Sequence, residues 1–263
     1  MTKAIIPIIS LAILTAAAAL LPGCGITGAG NIVTEEKDFA DFTQVDVGSA
    51  FEVEITQSDS FSIIISADES LFDLVEVSKV GETLKIYLNP RHIFTDFTLG
   101  AKTLKAEITM PALYGLQLSG ATKGTISGFK SSEDFSLVVS GASSLETSDI
   151  EIGDGEFEVS GASKVTGSAN ASDIRFEVSG ASEVELKGSA NNIILNASGA
   201  SKVKLADFPL NNANAKLSGA SEATVNVKGR LDIALSGASR LYFYGNPTMG
   251  DTNVSGASTI KHK

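Results

Sequence analysis

The triplet Ser-Gly-Ala occurs eight times along this chain, beginning at Ser119, Ser140, Ser160, Ser179, Ser198, Ser218, Ser236 and Ser255. Successive starts differ by 21, 20, 19, 19, 20, 18 and 19 residues. Self-similarity at a fixed period marks a repeat architecture, in which no unit buries its apolar face except by stacking on a neighbour. A period near 19 is too short for ankyrin, tetratricopeptide or propeller units, which need about 33 residues or more. It falls just below the leucine-rich range, and the Leu and Asn pattern of that repeat is missing.

Each unit can be phased on its first Ser. One residue earlier stand Leu118, Val139, Val159, Val178, Ala197, Leu217, Leu235 and Val254. Three residues earlier stand Leu116, Leu137, Phe157, Phe176, Leu195, Ala215, Ile233 and Thr252, and five later Gly124, Leu145, Val165, Val184, Val203, Ala223, Leu241 and Ile260. These positions form a period-two set, the pattern of strands with one buried face. The residue four after the first Ser is polar in all eight units and belongs to the solvent face. The fold expected is all-β: a right-handed parallel β-helix with about 19–20 residues per turn. Seven intervals at the inter-strand spacing make a rod of about 34 Å. Within the motif two geometries fit. Unbroken alternation turns Gly and the second Ser inward; a corner at Gly reverses the facing beyond it.

Residues 38–110 lack the full motif but are strand-like, and Gly48-Ser49-Ala50 stands in a place resembling it. They are expected to begin and cap the coil, with "SADESLFDLVEVSK" as the one stretch that also reads as a short helix. Residues 111–263 supply the repeat turns, so 38–263 reads as one domain. At the C-terminus the charged Lys261, His262 and Lys263 blunt an open end, unless a second subunit covers it.

Composition bears on location. Residues 1–23 hold a single charge, Lys3, followed by an apolar run and small residues, the pattern of a secretory signal. The only cysteine, Cys24, closes "LLPGC", with Leu21 and Gly23 three and one residues before it. That spacing looks like a lipobox, making Cys24 the lipidated N-terminus and 24–37 a tether. A transmembrane anchor is the other reading of the run. Acidic residues outnumber Lys and Arg by 31 to 20, and loss of Lys3 leaves 19 − 31 = −12 on mature side chains. Such a chain repels nucleic acid. Its expected contacts are the membrane, through lipid, and a surface protein or glycan. Gly25 offers no retention signal of the Asp type, which favours the outer membrane or cell surface.

The segment "DFTQVDVGSAFEVEI" at 41–55 and the "LSGAS" and "VSGAS" repeats resemble the putative auto-transporter adhesin, head GIN domain family of bacterial cell-envelope proteins. The resemblance covers about residues 39–260. It implies a β-helical, secreted or surface protein with no established catalytic residues. No C-terminal membrane-barrel pattern is present, so the autotransporter part of that description is not expected to apply literally.

Catalytic readings are weak. Asp149, Glu151, Asp154, Glu156 and Glu158 lie within ten residues and could gather a cation, but also read as a solvated turn and strand face. The histidines, His92 and His262, fall in a loop and in the tail, which leaves the many serines without a base. Neither the ligand set for zinc nor the Lys of a phosphate loop is present. No cofactor or metal is expected. Tyr242 and Tyr244 fall on the polar phase with Phe243 inward, a small aromatic spot that could touch a partner. The function expected is that of a non-catalytic, adhesin-like envelope lipoprotein. A carbohydrate-active enzyme on a β-helix and an envelope sensor or scaffold are the alternatives.

Overall fold

The structure is a computed structural model that describes residues 31–89 and 102–263. Cys24, the apolar run before it, the tether up to residue 30 and His92 lie outside the described residues.

The repeats form a parallel β-solenoid of about seven turns. Each turn contributes a strand before the Ser-Gly-Ala corner and a strand after it, and the two sets build two parallel sheets. In the pre-corner sheet Leu116, Leu137, Phe157, Phe176, Leu195, Ala215, Ile233 and Thr252 pair in unbroken register. In the post-corner sheet Gly124, Leu145, Val165, Val184, Val203, Ala223, Leu241 and Ile260 do the same. The stacked positions are those that the period-two pattern picks out. All are buried until the final turn, where Thr252 is exposed and Ile260 half-buried. Phe157 packs edge-on against Phe135 and Phe176, with centroids 6.2 and 5.4 Å apart, an arrangement that ring quadrupoles favour.

The Ser-Gly-Ala motif is a corner. All eight motif glycines have positive φ, between 63° and 77°. Gly and Ala are exposed at the bend, and the second Ser turns inward; Ser163, Ser182, Ser201, Ser221 and Ser239 are buried. At Gly180 both features of glycine are required. Its φ is +74°, and a Cβ would stand 2.3 Å from the Gly161 carbonyl oxygen one turn below. That closeness lets each corner bond to the next: Ala181 N donates to Gly161 O and Ala200 N to Gly180 O, both at 2.8 Å. Inside the corner the Ser221 hydroxyl donates to Ser218 O at 2.8 Å, and Ser239 to Ser236 O at 2.8 Å. These bonds meet the demand that buried hydroxyls be partnered at Ser221 and Ser239, while the Ser163 hydroxyl has no partner among the described residues.

At the far bend a side-chain ladder does equivalent work. Asp134 Oδ1 accepts from Asp154 N, Asp154 Oδ1 from Asp173 N, Asp173 Oδ1 from Asn192 N and Asn212 Oδ1 from Arg230 N, at 2.8–3.2 Å. Differences in turn length are absorbed as register shifts, between Thr147 and Ile150 and between Leu205 and Pro209 after the corner, and between Leu231 and Ile233 in the pre-corner sheet.

The N-terminal segment caps the coil, but out of chain order. Gln44–Val47 pairs with Gly115–Leu118, and Glu52–Gln57 with Lys123–Ser127, both parallel, so Gly48-Ser49-Ala50 is the corner stacked on the first full motif. Ala50 N donates to Gly120 O, and Ser49 and Ala50 themselves take positive φ. Next outward lie Thr83–Leu88 and Leu104–Met110, which come later in the sequence. The end is closed by antiparallel pairing. Val75–Val80 lines Thr83–Leu88, Ser62–Asp68 lines Leu104–Met110, and Ile32–Glu36 lies outermost. Of the stretch that also read as helical, only Glu69–Phe72 forms one turn, with Leu71 buried.

Candidate functional site

Strands in a solenoid run across the coil, so any row of outward side chains runs along it. On the pre-corner sheet the row two residues before each corner serine is Glu158, Glu177, Asn196, Lys216, Ala234 and Asn253, joined by register. The first corner serines form the next outward row. Between them lies a trough of about 960 Å³ that spans six turns. Its backbone is fully engaged: Ser198 N donates to Val178 O, Ser218 N to Ala197 O and Ser236 N to Leu217 O, each at 2.9 Å. The side chains are freer. Asn196 donates to Glu177 at 2.7 Å, and Ser255 Oγ donates to Leu235 O at 3.2 Å. Among the described residues the hydroxyls of Ser179, Ser198, Ser218 and Ser236 have no protein partner, and Lys216 and Glu158 form no ion pair.

The trough row continues toward the N-terminal cap through Val138 and Gln117 to Asp46. Asp46 is 7% exposed and lies in a recess of about 260 Å³ beside Gln44, Lys85 and Gln117. Its Oδ2 is 3.5 Å from the Lys85 ammonium, and its Oδ1 has no partner among the described residues. Burial, with the hydrogen-bonded Asp46 carboxylate as the next cause, pushes the Tyr87 hydroxyl well above the usual phenol range.

The outer face of the post-corner sheet is different. Lys164 pairs with Glu183 at 3.8 Å, Lys202 and Arg240 flank Glu222 at 3.9 and 3.8 Å, and Lys204 bridges Glu183 and Glu185. The Lys204 hydrogen bond holds the Glu183 carboxyl below its usual range. These charges are spent on one another across turns. Tyr242 stands in register between Thr224 and Lys261 of this sheet, away from the trough row, and Lys263 sits 4.3 Å above its ring. Tyr244 pairs in register with Asn226. Phe243 packs partly into the core and stacks on His262.

The acidic group at 149–158 is dispersed. Asp149 sits at positive φ in a register shift and pairs with Lys130 at 3.1 Å. Asp154 belongs to the far-bend ladder, and Glu158 to the trough. Among the described residues no group of three or more His, Cys, Asp or Glu is placed to hold a metal ion. Sequence reasoning missed Asn196, Lys216 and Asp46. The first two were available as one more column of the repeat alignment. Asp46 reads as an ordinary outward residue of an alternating strand, and only Tyr87 and its neighbours bury it.

A family model described as "Putative auto-transporter adhesin, head GIN domain" matches residues 41–247. The chain belongs to this family. Solved structures share the fold at low identity. A putative adhesin from Parabacteroides merdae ATCC 43184 has a TM-score of 0.78 and 15% identity, over 89% of this chain and 98% of that one. A putative adhesin from Parabacteroides distasonis ATCC 8503 gives the same four values. A putative lipid binding protein from Parabacteroides distasonis ATCC 8503 has a TM-score of 0.75 and 18% identity, over 89% of this chain and 97% of that one. No curated protein matches the chain significantly. Family membership points to contact with surface partners and to a cell-surface or envelope location, and its adhesin description points away from an enzyme.

Proposed function

We propose that this family member is a non-catalytic, adhesin-like envelope lipoprotein that holds a surface partner in the pre-corner trough. In this reading residues 1–23 are removed, Cys24 carries the lipid, and the expected tether of 24–37 is shortened, because Ile32–Glu36 already pairs in the cap and belongs to the binding domain. The observation that carries it is the trough itself, six turns long, with a satisfied backbone and side chains left over for a ligand.

The test is adhesion. Fluorescent beads coated with the mature chain are expected to bind bacterial or host-cell surfaces. The Glu177→Lys, Lys216→Glu double variant, folded by circular dichroism, is expected to lose about tenfold in binding, as for two central contacts of an interface. Unchanged adhesion would remove the trough from the function. Release of reducing ends from polysaccharide by the purified chain would replace the binding reading with an enzymatic one. Cys24→Ser is expected to abolish incorporation of labelled fatty acid; retained label would end the lipidation assignment.

A further inference from the structure

We infer that the trough's occupant is an extended glycan lying along the coil axis, hydrogen-bonded to the corner serines. The inference rests on the reading of the trough as the binding face. Three observations separate a glycan from a peptide or a lipid.

The first concerns the backbone. A peptide that binds by strand addition needs an unpaired edge, whose N–H and C=O groups supply most of the affinity. The trough lies on the outer face at the ends of the pre-corner strands, and its N–H groups are already given to the preceding turn at Ser198, Ser218 and Ser236. A peptide main chain therefore finds no ladder there.

The second concerns periodicity. Unpartnered hydroxyls recur at Ser179, Ser198, Ser218 and Ser236, one per turn, at about 4.8 Å. A hydroxyl both donates and accepts. A matching ligand must offer groups of the same dual kind at short, regular intervals along its length. A hydroxyl-rich sugar chain does so, and an acyl chain offers none.

The third concerns the rim. Glu177 can only accept, Lys216 can only donate, and Asn196 does both. Sugar hydroxyls can therefore be met in either role from the side opposite the serines. No aromatic ring lines the trough, so affinity must accumulate over many hydrogen bonds and depend on ligand length.

The experiment has two arms on the mature chain. In the first, surfaces that bind the protein are treated with periodate, which cleaves vicinal diols, or with protease. Binding lost to periodate and kept after protease supports the glycan; the reverse assigns the trough to a protein partner and overturns the inference while leaving adhesion intact. Binding to phosphatidylglycerol vesicles that competes with the surface would also overturn it. In the second arm, oligosaccharides of glucose, N-acetylglucosamine and galacturonic acid, from dimer to octamer, are titrated calorimetrically. Affinity in at least one series is expected to rise with length and level off near the span of six turns. Ser198→Val with Ser218→Val is expected to lower it about tenfold, as for two lost hydrogen bonds. No length dependence in any series, or indifference to the serine substitutions in a variant that retains the wild-type melting temperature, overturns the assignment. If no surface is bound at all, the adhesive reading fails first, and the two failures are told apart.

Discussion

At the scale of single residues, the corner glycine separates two costs that usually travel together. Gly180 and Gly81 both hold positive φ, +74° and +62°, but only Gly180 has a carbonyl where its Cβ would go; nothing lies within 4 Å of the Cβ position at Gly81. Gly81→Ala should therefore cost about 1 kcal/mol, the penalty of the left-handed backbone alone. Gly180→Ala should cost roughly 3 kcal/mol or more, since the stacked corner must also open. Urea midpoints of the two variants check this, and equal losses would show that stacking is not what demands glycine. The recurrence of Gly was plain in the sequence. Its reason was not, because inward Gly on an unbroken strand and Gly at a bend leave the same pattern of neighbours. A corner was expected to reverse the facing and turn the second serine outward, but the structure combines the bend with an inward second serine, so its burial alone would have pointed to the unbroken strand.

At the scale of the element, each turn is held by two unlike hinges. The Ser-Gly-Ala corner bonds backbone to backbone, whereas the far bend bonds side chain to backbone through Asp134, Asp154, Asp173 and Asn212. In the second hinge only the oxygen matters. Asp173→Ala removes the acceptor of Asn192 N and Nδ2 and should cost about 1–2 kcal/mol. Asp173→Asn keeps an oxygen, relieves the stacked charge of Asp154, and should stay within about 0.5 kcal/mol of wild type. Thermal melts of the three proteins measure the difference; an Asn variant as weak as the Ala variant would mean that charge, not oxygen, is required. This hinge was harder to read than the first. Its residues vary between Asp and Asn, and the segments around it vary in length, so no fixed triplet announces it. The same holds for the trough. Glu158 was visible as one acid among five, but its partners Asn196 and Lys216 share a row only once the register is known.

For the molecule as a whole, stability is a sum over stacked turns, so the unit of tolerated change is one full turn. Excision of Ser160–Val178 joins Val159 to Ser179 in phase. It should leave a folded coil with the wild-type circular dichroism shape and a smaller urea m-value, in proportion to the surface lost. Excision of Ser160–Ala169 takes out half a turn and should abolish folding; a cooperative melt from that protein would contradict the stacked register. The coil and its period could be read directly from the chain because every turn repeats the same side chains. The cap was expected from residues 38–110, but its pairing order could not be read, because its strands lack the full motif and three of its pairings are antiparallel. That cap carries a consequence for biosynthesis. The turn built from Gln44–Gln57 is sandwiched between the strands Thr83–Leu88 and Leu104–Met110 on one side and Gly115–Leu118 and Lys123–Ser127 on the other. As the polypeptide leaves the ribosome, its earliest turn must wait, unfolded, until about seventy later residues have emerged, because both of its neighbours are made after it.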